Sequence, residues 1–149
     1  MEKDRVKKNF KITCIVLGLM FMLAGIPFAH SQSDLQANVE LLDPLAFLSK
    51  KINLKNTLID LRSESEYHQS HIEGARNIPF QMANFKKSVD KLPTHSPVLV
   101  YCEDGTTSKE AAKLLSNAGF KTIIVLEGGM NAWTKKNLKT KSAPSTYEN

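Results

Sequence analysis

Cysteine is scarce in this chain, with Cys14 and Cys102 the only two, and that scarcity excludes a disulfide-built scaffold. Arginine is equally thin: Arg5, Arg62 and Arg76 are the whole complement, and none follows Arg76. The lysines are spread among acids, with a modest concentration at Lys135, Lys136, Lys139 and Lys141. A clustered basic footprint is missing, so no nucleic-acid partner is expected, and the lysine-rich tail is read as a solvated surface. His68 and His71 lack further ligands in metal-site spacing, so no metal is expected. No apolar run reaches the ~20 residues that a membrane-crossing helix needs; Ile12 to Ile26, almost unbroken, has 15.

That run follows basic, polar residues 1 to 11 and ends at Pro27, before Ala29-His30-Ser31. This is the three-part layout of a secretory signal peptide with a small-residue cleavage site. The reading is a signal peptide over 1–31, a mature chain over 32–149, and a periplasmic or secreted protein whose membrane contact is confined to the leader. The leader carries five cations against two acids, which leaves the mature part about +2 of the net +5. Cleavage removes Cys14. Cys102 then stands alone in an oxidising compartment, where it is buried and inert, paired with another molecule, or a reactive thiol.

Hydrophobic residues at 42% and charged residues at 23% are ordinary for a folding chain and far from the disordered corner of composition. The mature length suits one domain, read as about Val39 to Leu138 with loose ends, the tail lacking periodicity from Thr140. Asp43-Pro44 places an N-cap before a first-turn proline and starts a helix to about Lys51. Thr57 to Leu61 reads as a short buried strand. Ser63 and Glu66 form a capping box that opens a short helix. Phe80, Phe85, Val89 and Leu92 lie at helical spacing, closed by Pro93. Pro97 to Tyr101 is continuously apolar and Thr122 to Leu126 reads as another buried strand, the pattern of strands covered on both faces. Between them a helix begins near Thr107 and is capped by Gly119; a last helix surrounds Ala132 and Trp133, which together with Met130 is assigned to the core. The pattern predicts an α/β fold with a central, mostly parallel sheet and helices on both faces.

Ligands in such folds collect at the carboxyl ends of the strands. The turn after the strand at 97–101 reads Cys102-Glu103-Asp104-Gly105-Thr106-Thr107-Ser108, a cysteine followed by a tight glycine-containing loop and a helix start. Backbone N–H groups turned inward, with the helix dipole behind them, favour a thiolate and hold an anion.

These residues resemble the rhodanese family. Ile59-Asp60-Leu61-Arg62, Glu66-Tyr67 and His71 to Pro79 are similar to its first signature block. Cys102 with Gly105 and Ser108 is similar to its active-site loop, and Gly128-Gly129-Met130-Asn131-Ala132-Trp133 to its closing block. The resemblance covers almost the whole mature domain and implies a single rhodanese-like domain. It also implies a sulfurtransferase that needs no cofactor, in which Cys102 takes a sulfane sulfur as a persulfide and passes it to cyanide, a thiol or a protein partner's thiol. The loop Glu103, Asp104, Gly105, Thr106, Thr107 and Ser108 would cradle the outer sulfur, with Arg62 and Lys109 as candidate support. Many thiosulfate-using members carry arginine where this chain has Thr107, and Glu103 and Asp104 add negative charge beside the sulfur. Both points argue against efficient thiosulfate turnover. C-x-x-G-x-T resembles the loop of mercaptopyruvate sulfurtransferases, which generally have two such domains.

Three bland readings stand beside these: His71 braces the loop before Gly74, Asp60 and Arg62 form a local ion pair that fixes the next loop, and Glu103 and Asp104 are solvated turn residues. The alternative function is a non-enzymatic rhodanese-like binding or redox-sensing module. A related-fold phosphatase or arsenate reductase is disfavoured, because its longer loop ends in an arginine that is absent here.

Overall fold

A computed structural model describes residues 37–53 and 56–142; the leader expected over 1–31 and the tail from 143 lie outside them. Strands β1 (Asn38–Leu42), β2 (Thr57–Asp60), β3 (Arg76–Asn77), β4 (Val98–Tyr101) and β5 (Thr122–Leu126) form one sheet. Its order is β1-β5-β4-β2-β3, and every pairing is parallel. The described helices are α1 (Pro44–Asn53), α2 (Glu64–Gln69), α3 (Phe85–Val89), α4 (Thr106–Asn117) and α5 (Gly129–Lys135). Parallel neighbours need crossovers, and these crossovers put helices on both faces of the sheet. This is the expected α/β class.

The two-residue period of a strand sorts the core into two layers. Val98 and Val100 of β4 join Phe85 and Val89 of α3 and Ala111 and Leu115 of α4, and Cys102 belongs to this layer. Leu99 and Tyr101 turn the other way, to Phe47 of α1 and Met130 and Trp133 of α5. Phe47 meets Trp133 edge to face, with ring centroids 6.4 Å apart, an arrangement that suits the charge distribution of aromatic rings.

Local sequence sets the helix ends. The Asp43 carboxylate accepts the N–H groups of Leu45 (2.9 Å) and Ala46 (3.3 Å), while Pro44 takes a first-turn position that has no N–H to satisfy. Ser63 and Glu66 form the reciprocal box at the start of α2. Beyond α4, the Gly119 N–H bonds to the Ser116 carbonyl and the Phe120 N–H to the Leu115 carbonyl, closing the helix into the turn before β5.

Three elements depart from the sequence reading. β1 and β3 were not predicted: β1 is an edge strand whose Asn38, Val39 and Leu41 are exposed, and β3 has only two residues. The helical spacing from Phe80 yields a helix only at Phe85–Val89. The chain before it is tied to β2 by Ile78 N–H to the Asp60 carbonyl (2.9 Å) and Phe80 N–H to the Leu61 carbonyl (3.0 Å). An extended segment held this way cannot begin a helix at Phe80, which packs edge-on against Phe85 instead. The tail is paired as far as Lys141, whose backbone exchanges two hydrogen bonds with His71.

Phe47 is fully buried, so Phe47→Ala is expected to remove about 3–5 kcal/mol of stability. A urea titration should show the midpoint falling with an unchanged slope; an unchanged midpoint would refute this account of the core.

Candidate active site

Cys102 follows directly on β4, at the carboxyl end of the strand that sits in the middle of the sheet. The residue is 4% exposed and its thiol is free. The Gly105 N–H donates to Sγ at 3.2 Å, and Asp104 Oδ1 lies 3.8 Å from the same sulfur. The sulfur thus receives the N–H that precedes α4, beside the positive end of that helix's dipole.

The loop takes its shape from the start of α5. Met130 N–H bonds to the Cys102 carbonyl at 2.8 Å and Asn131 N–H to the Glu103 carbonyl at 3.0 Å. Because each peptide unit is planar and trans, drawing these two carbonyls toward α5 turns the N–H groups of Glu103 and Asp104 the opposite way. Gly129 makes the approach feasible: a β-carbon there would strike the Cys102 and Glu103 carbonyl oxygens, and its φ is +58°. Gly105 has φ +90°, and a β-carbon on it would lie 3.1 Å from the Gly128 nitrogen. Both positions require a residue without a side chain.

The two acidic loop residues have structural partners. Asp104 Oδ1 accepts the Thr106 N–H at 2.9 Å, and that bond holds its carboxyl below the usual range. Glu103 Oε2 lies 3.3 Å from Arg62 Nη1. Arg62 in turn bonds the fully buried Asp60 through Nε and through Nη2 at 2.7 Å, and donates from Nη2 to the Ser70 carbonyl at 2.6 Å. Burial opposes the guanidinium's charge, but the hydrogen bonds and field of Asp60 outweigh it and hold its pKa above the ordinary value. The guanidinium also lies 5.6 Å from the centre of the Tyr101 ring. The Tyr101 hydroxyl accepts the Ile72 N–H at 3.0 Å. Burial, and then the charge of Asp60 and a hydrogen bond to it, push the Tyr101 pKa well up.

A cavity of about 390 Å³ opens beside the sulfur. Cys102, Glu103, Thr107, Arg62 and Glu66 line it together with an apolar wall of Leu61, Pro79, Phe80 and Met82. Of the residues singled out in the sequence, Thr107 faces this space, Thr106 is exposed, and Ser108 is fully buried in the first turn of α4, its hydroxyl without a hydrogen-bond partner among the described residues. Lys109 is exposed on α4 and takes no part in the lining. The Asp60–Arg62 pair is local, as read, yet it also reaches the cysteine loop. His71 stacks on Tyr67 at 4.0 Å and its Nδ1 meets the Tyr67 carbonyl at 2.9 Å, so it braces the end of α2. Sequence reasoning missed the cavity wall of Phe80 and Met82 and the cavity-lining Glu66. Phe80 was visible only as a hydrophobic residue at helical spacing, and Met82 carried no signal.

A family model described as "Rhodanese-like domain" matches residues 45–136. The chain is 38% identical over 82 residues to the probable adenylyltransferase/sulfurtransferase MoeZ of Mycobacterium tuberculosis, covering 55% of this chain and 21% of that protein. It is 34% identical over 76 residues to the thiosulfate sulfurtransferase GlpE of Coxiella burnetii, covering 51% of this chain and 69% of that one. Among solved structures, the rhodanese-like domain of the Alr3790 protein from Anabaena sp. has a similar fold. Its TM-score is 0.62 at 24% identity, over 73% of this chain and 87% of that one. The chain therefore spans about a fifth of MoeZ and about two thirds of GlpE.

Two expectations follow from the site's packing. Gly129→Ala should lower stability by about 1–3 kcal/mol through backbone strain and displacement of the cysteine loop; a thermal midpoint equal to wild type would refute the close approach. The folded state holds the Tyr101 proton more tightly than the unfolded chain, which releases it near its ordinary value of 10.0. The associated stability is therefore complete below about pH 10 and is lost as pH rises further. Urea midpoints of wild type and Tyr101→Phe, compared at about pH 8 and about pH 11, should show the variant losing less stability over that interval.

Proposed function

The chain belongs to the rhodanese-like domain family, and from that premise we propose that it is a sulfurtransferase working through a persulfide on Cys102. The observation that carries the reading is the Cys102 sulfur itself: it ends the central strand, accepts the Gly105 N–H, and lines a cavity large enough for a small sulfur compound. The Cys102 thiolate attacks the sulfane sulfur of the donor. The donor's S–S bond breaks, its electron pair leaves with the departing group, and Cys102 holds the transferred sulfur. A thiol or cyanide acceptor then attacks that outer sulfur and the Cys102 thiolate is released, so the two steps balance without an oxidant or cofactor.

Within this reading each loop residue has a role. Gly105 supplies an N–H to the sulfur, Thr107 lines the cavity, and the Asp60–Arg62–Glu103 network holds the loop in place. Glu103, Asp104, Thr106 and Ser108 serve the loop's shape. The proposal extends to an exported protein, on the strength of the leader pattern in residues 1–31, and to a small sulfur donor with a thiol acceptor, including a protein thiol. One observation favours the second reading of a binding or redox module: Cys102 is 4% exposed with a carboxylate 3.8 Å from its sulfur, which limits the access of a small donor.

In a Cys14→Ser background, which leaves Cys102 the one cysteine of the chain, incubating the reduced protein with a sulfane-sulfur donor is expected to add one sulfur atom, detectable by intact mass, and cyanide should then remove it as thiocyanate. Cys102→Ser should show neither event. Absence of the adduct in the folded Cys14→Ser protein with every donor tried would overturn sulfur transfer and favour the module.

A further inference from the structure

The charges and walls around the sulfur specify the kind of donor, an inference that rests on the sulfur-transfer reading above. Arg62 is the only cation among the residues that line the cavity, against the carboxylates of Glu66 and Glu103. Each of its three nitrogens already bonds to an acceptor within the chain: Nε to Asp60, Nη2 to Asp60 and the Ser70 carbonyl, Nη1 to Glu103. One guanidinium shared between two carboxylates leaves that group net negative.

The other acids add to this charge. Glu66 is kept ionised by its hydrogen bonds from Ser63, which hold its pKa below the ordinary value, and Asp104 sits 3.8 Å from Sγ. The first N–H of α4 is bonded to Asp104. A dianionic donor such as thiosulfate therefore meets the carboxylates of Glu66 and Glu103, with Asp104 beside the sulfur, and, among the lining residues, one guanidinium already engaged by Asp60 and Glu103. Apart from Cys102 and Thr107, the rest of the lining is the apolar set of Leu61, Pro79, Phe80 and Met82, with the uncharged polar side chains of Ser63 and Gln81 among them, which suits a carbon-bearing donor better than a dianion.

We infer that the cavity takes an organic hydropersulfide, R–S–SH, whose R group is apolar and uncharged or positively charged, in preference to an anionic donor. The Cys102 thiolate bonds to the outer sulfur, which keeps its hydrogen, and R–S⁻ leaves with the electron pair of the broken S–S bond. The product is the Cys102 hydropersulfide, and nothing is oxidised or reduced overall.

The test uses the full chain with the hydropersulfides of 2-aminoethanethiol, 2-mercaptoethanol and 3-mercaptopropionate, whose R groups end in ammonium, hydroxyl and carboxylate, and with thiosulfate. The rate of sulfur addition to Cys102 is divided by the rate with a capped, uncharged single-cysteine peptide, which removes differences in intrinsic reactivity. The expected order is ammonium, hydroxyl, carboxylate, thiosulfate. About three- to tenfold should separate the ammonium and carboxylate donors at low salt, shrinking toward unity near 1 M salt. Glu66→Gln and Glu103→Gln should each narrow that ratio. Equal normalised rates, a faster anionic donor, or a ratio that neither substitution changes would overturn the inference while leaving sulfur transfer intact. No transfer from any of the four would overturn sulfur transfer and this inference with it.

Discussion

The buried pair of Arg62 and Asp60 is the interaction on which the site depends. Asp60 closes β2 and is fully buried, and Arg62 is the second residue beyond it. A carboxylate in that position needs a fixed counter-charge, because an isolated buried charge is far more costly than a paired one. Once Asp60 fixes the guanidinium, its remaining N–H groups reach the Ser70 carbonyl at the end of α2 and Glu103 in the cysteine loop. One side chain thus joins the ends of β2, α2 and β4, the three elements whose relative placement defines the cavity. The tyrosine face beneath it, at 5.6 Å, adds a favourable surface for the cation.

A second constraint acts on the backbone. The start of α5 takes the Cys102 and Glu103 carbonyls as hydrogen-bond partners, and the loop can lie that close only because residue 129 is glycine. The consequence runs along the loop: carbonyls drawn toward α5 leave the N–H groups of Glu103 and Asp104 on the other side, and the next N–H, that of Gly105, bonds to Sγ. The Gly128-Gly129 dipeptide, 26 residues after the cysteine, therefore shapes the loop as directly as the residues inside it.

Local chemistry was legible in the sequence and long-range chemistry was not. The Asp43 cap, the Ser63–Glu66 box, the strands ending at Tyr101 and Leu126 and the turn at Gly119 each rest on residues within a few positions of one another, and they stand where the pattern put them. β1 escaped notice because an edge strand with three exposed residues has no buried alternation to detect. The expected start of a helix at Phe80 failed because its hydrogen bond to the Leu61 carbonyl is a tertiary contact that periodicity does not encode. In the site, the cysteine, the glycine and the helix start could be read directly. Glu103 and Asp104 are exposed, as solvated turn residues are. Their bonds to Arg62, 41 residues away, and to the Thr106 N–H assign them work in holding the loop.

That assignment changes what the acidic loop means for chemistry. Seen as free charges, Glu103 and Asp104 would simply oppose a thiolate. Bonded as they are, their charge is partly balanced by a guanidinium and a helix terminus, while the Gly105 N–H and the dipole of α4 still act on the sulfur. A carboxylate 3.8 Å from the sulfur and an N–H 3.2 Å from it place opposite charges beside one atom, and the carboxylate disfavours an anion that approaches. Under the proposed sulfur transfer the cysteine and the donor are separate species, so the carboxylates are no obstacle when the donor brings no negative charge. A loop that carries acids beside its cysteine is then consistent with the proposed sulfur transfer, and under that proposal the acids discriminate among the molecules that would deliver the sulfur.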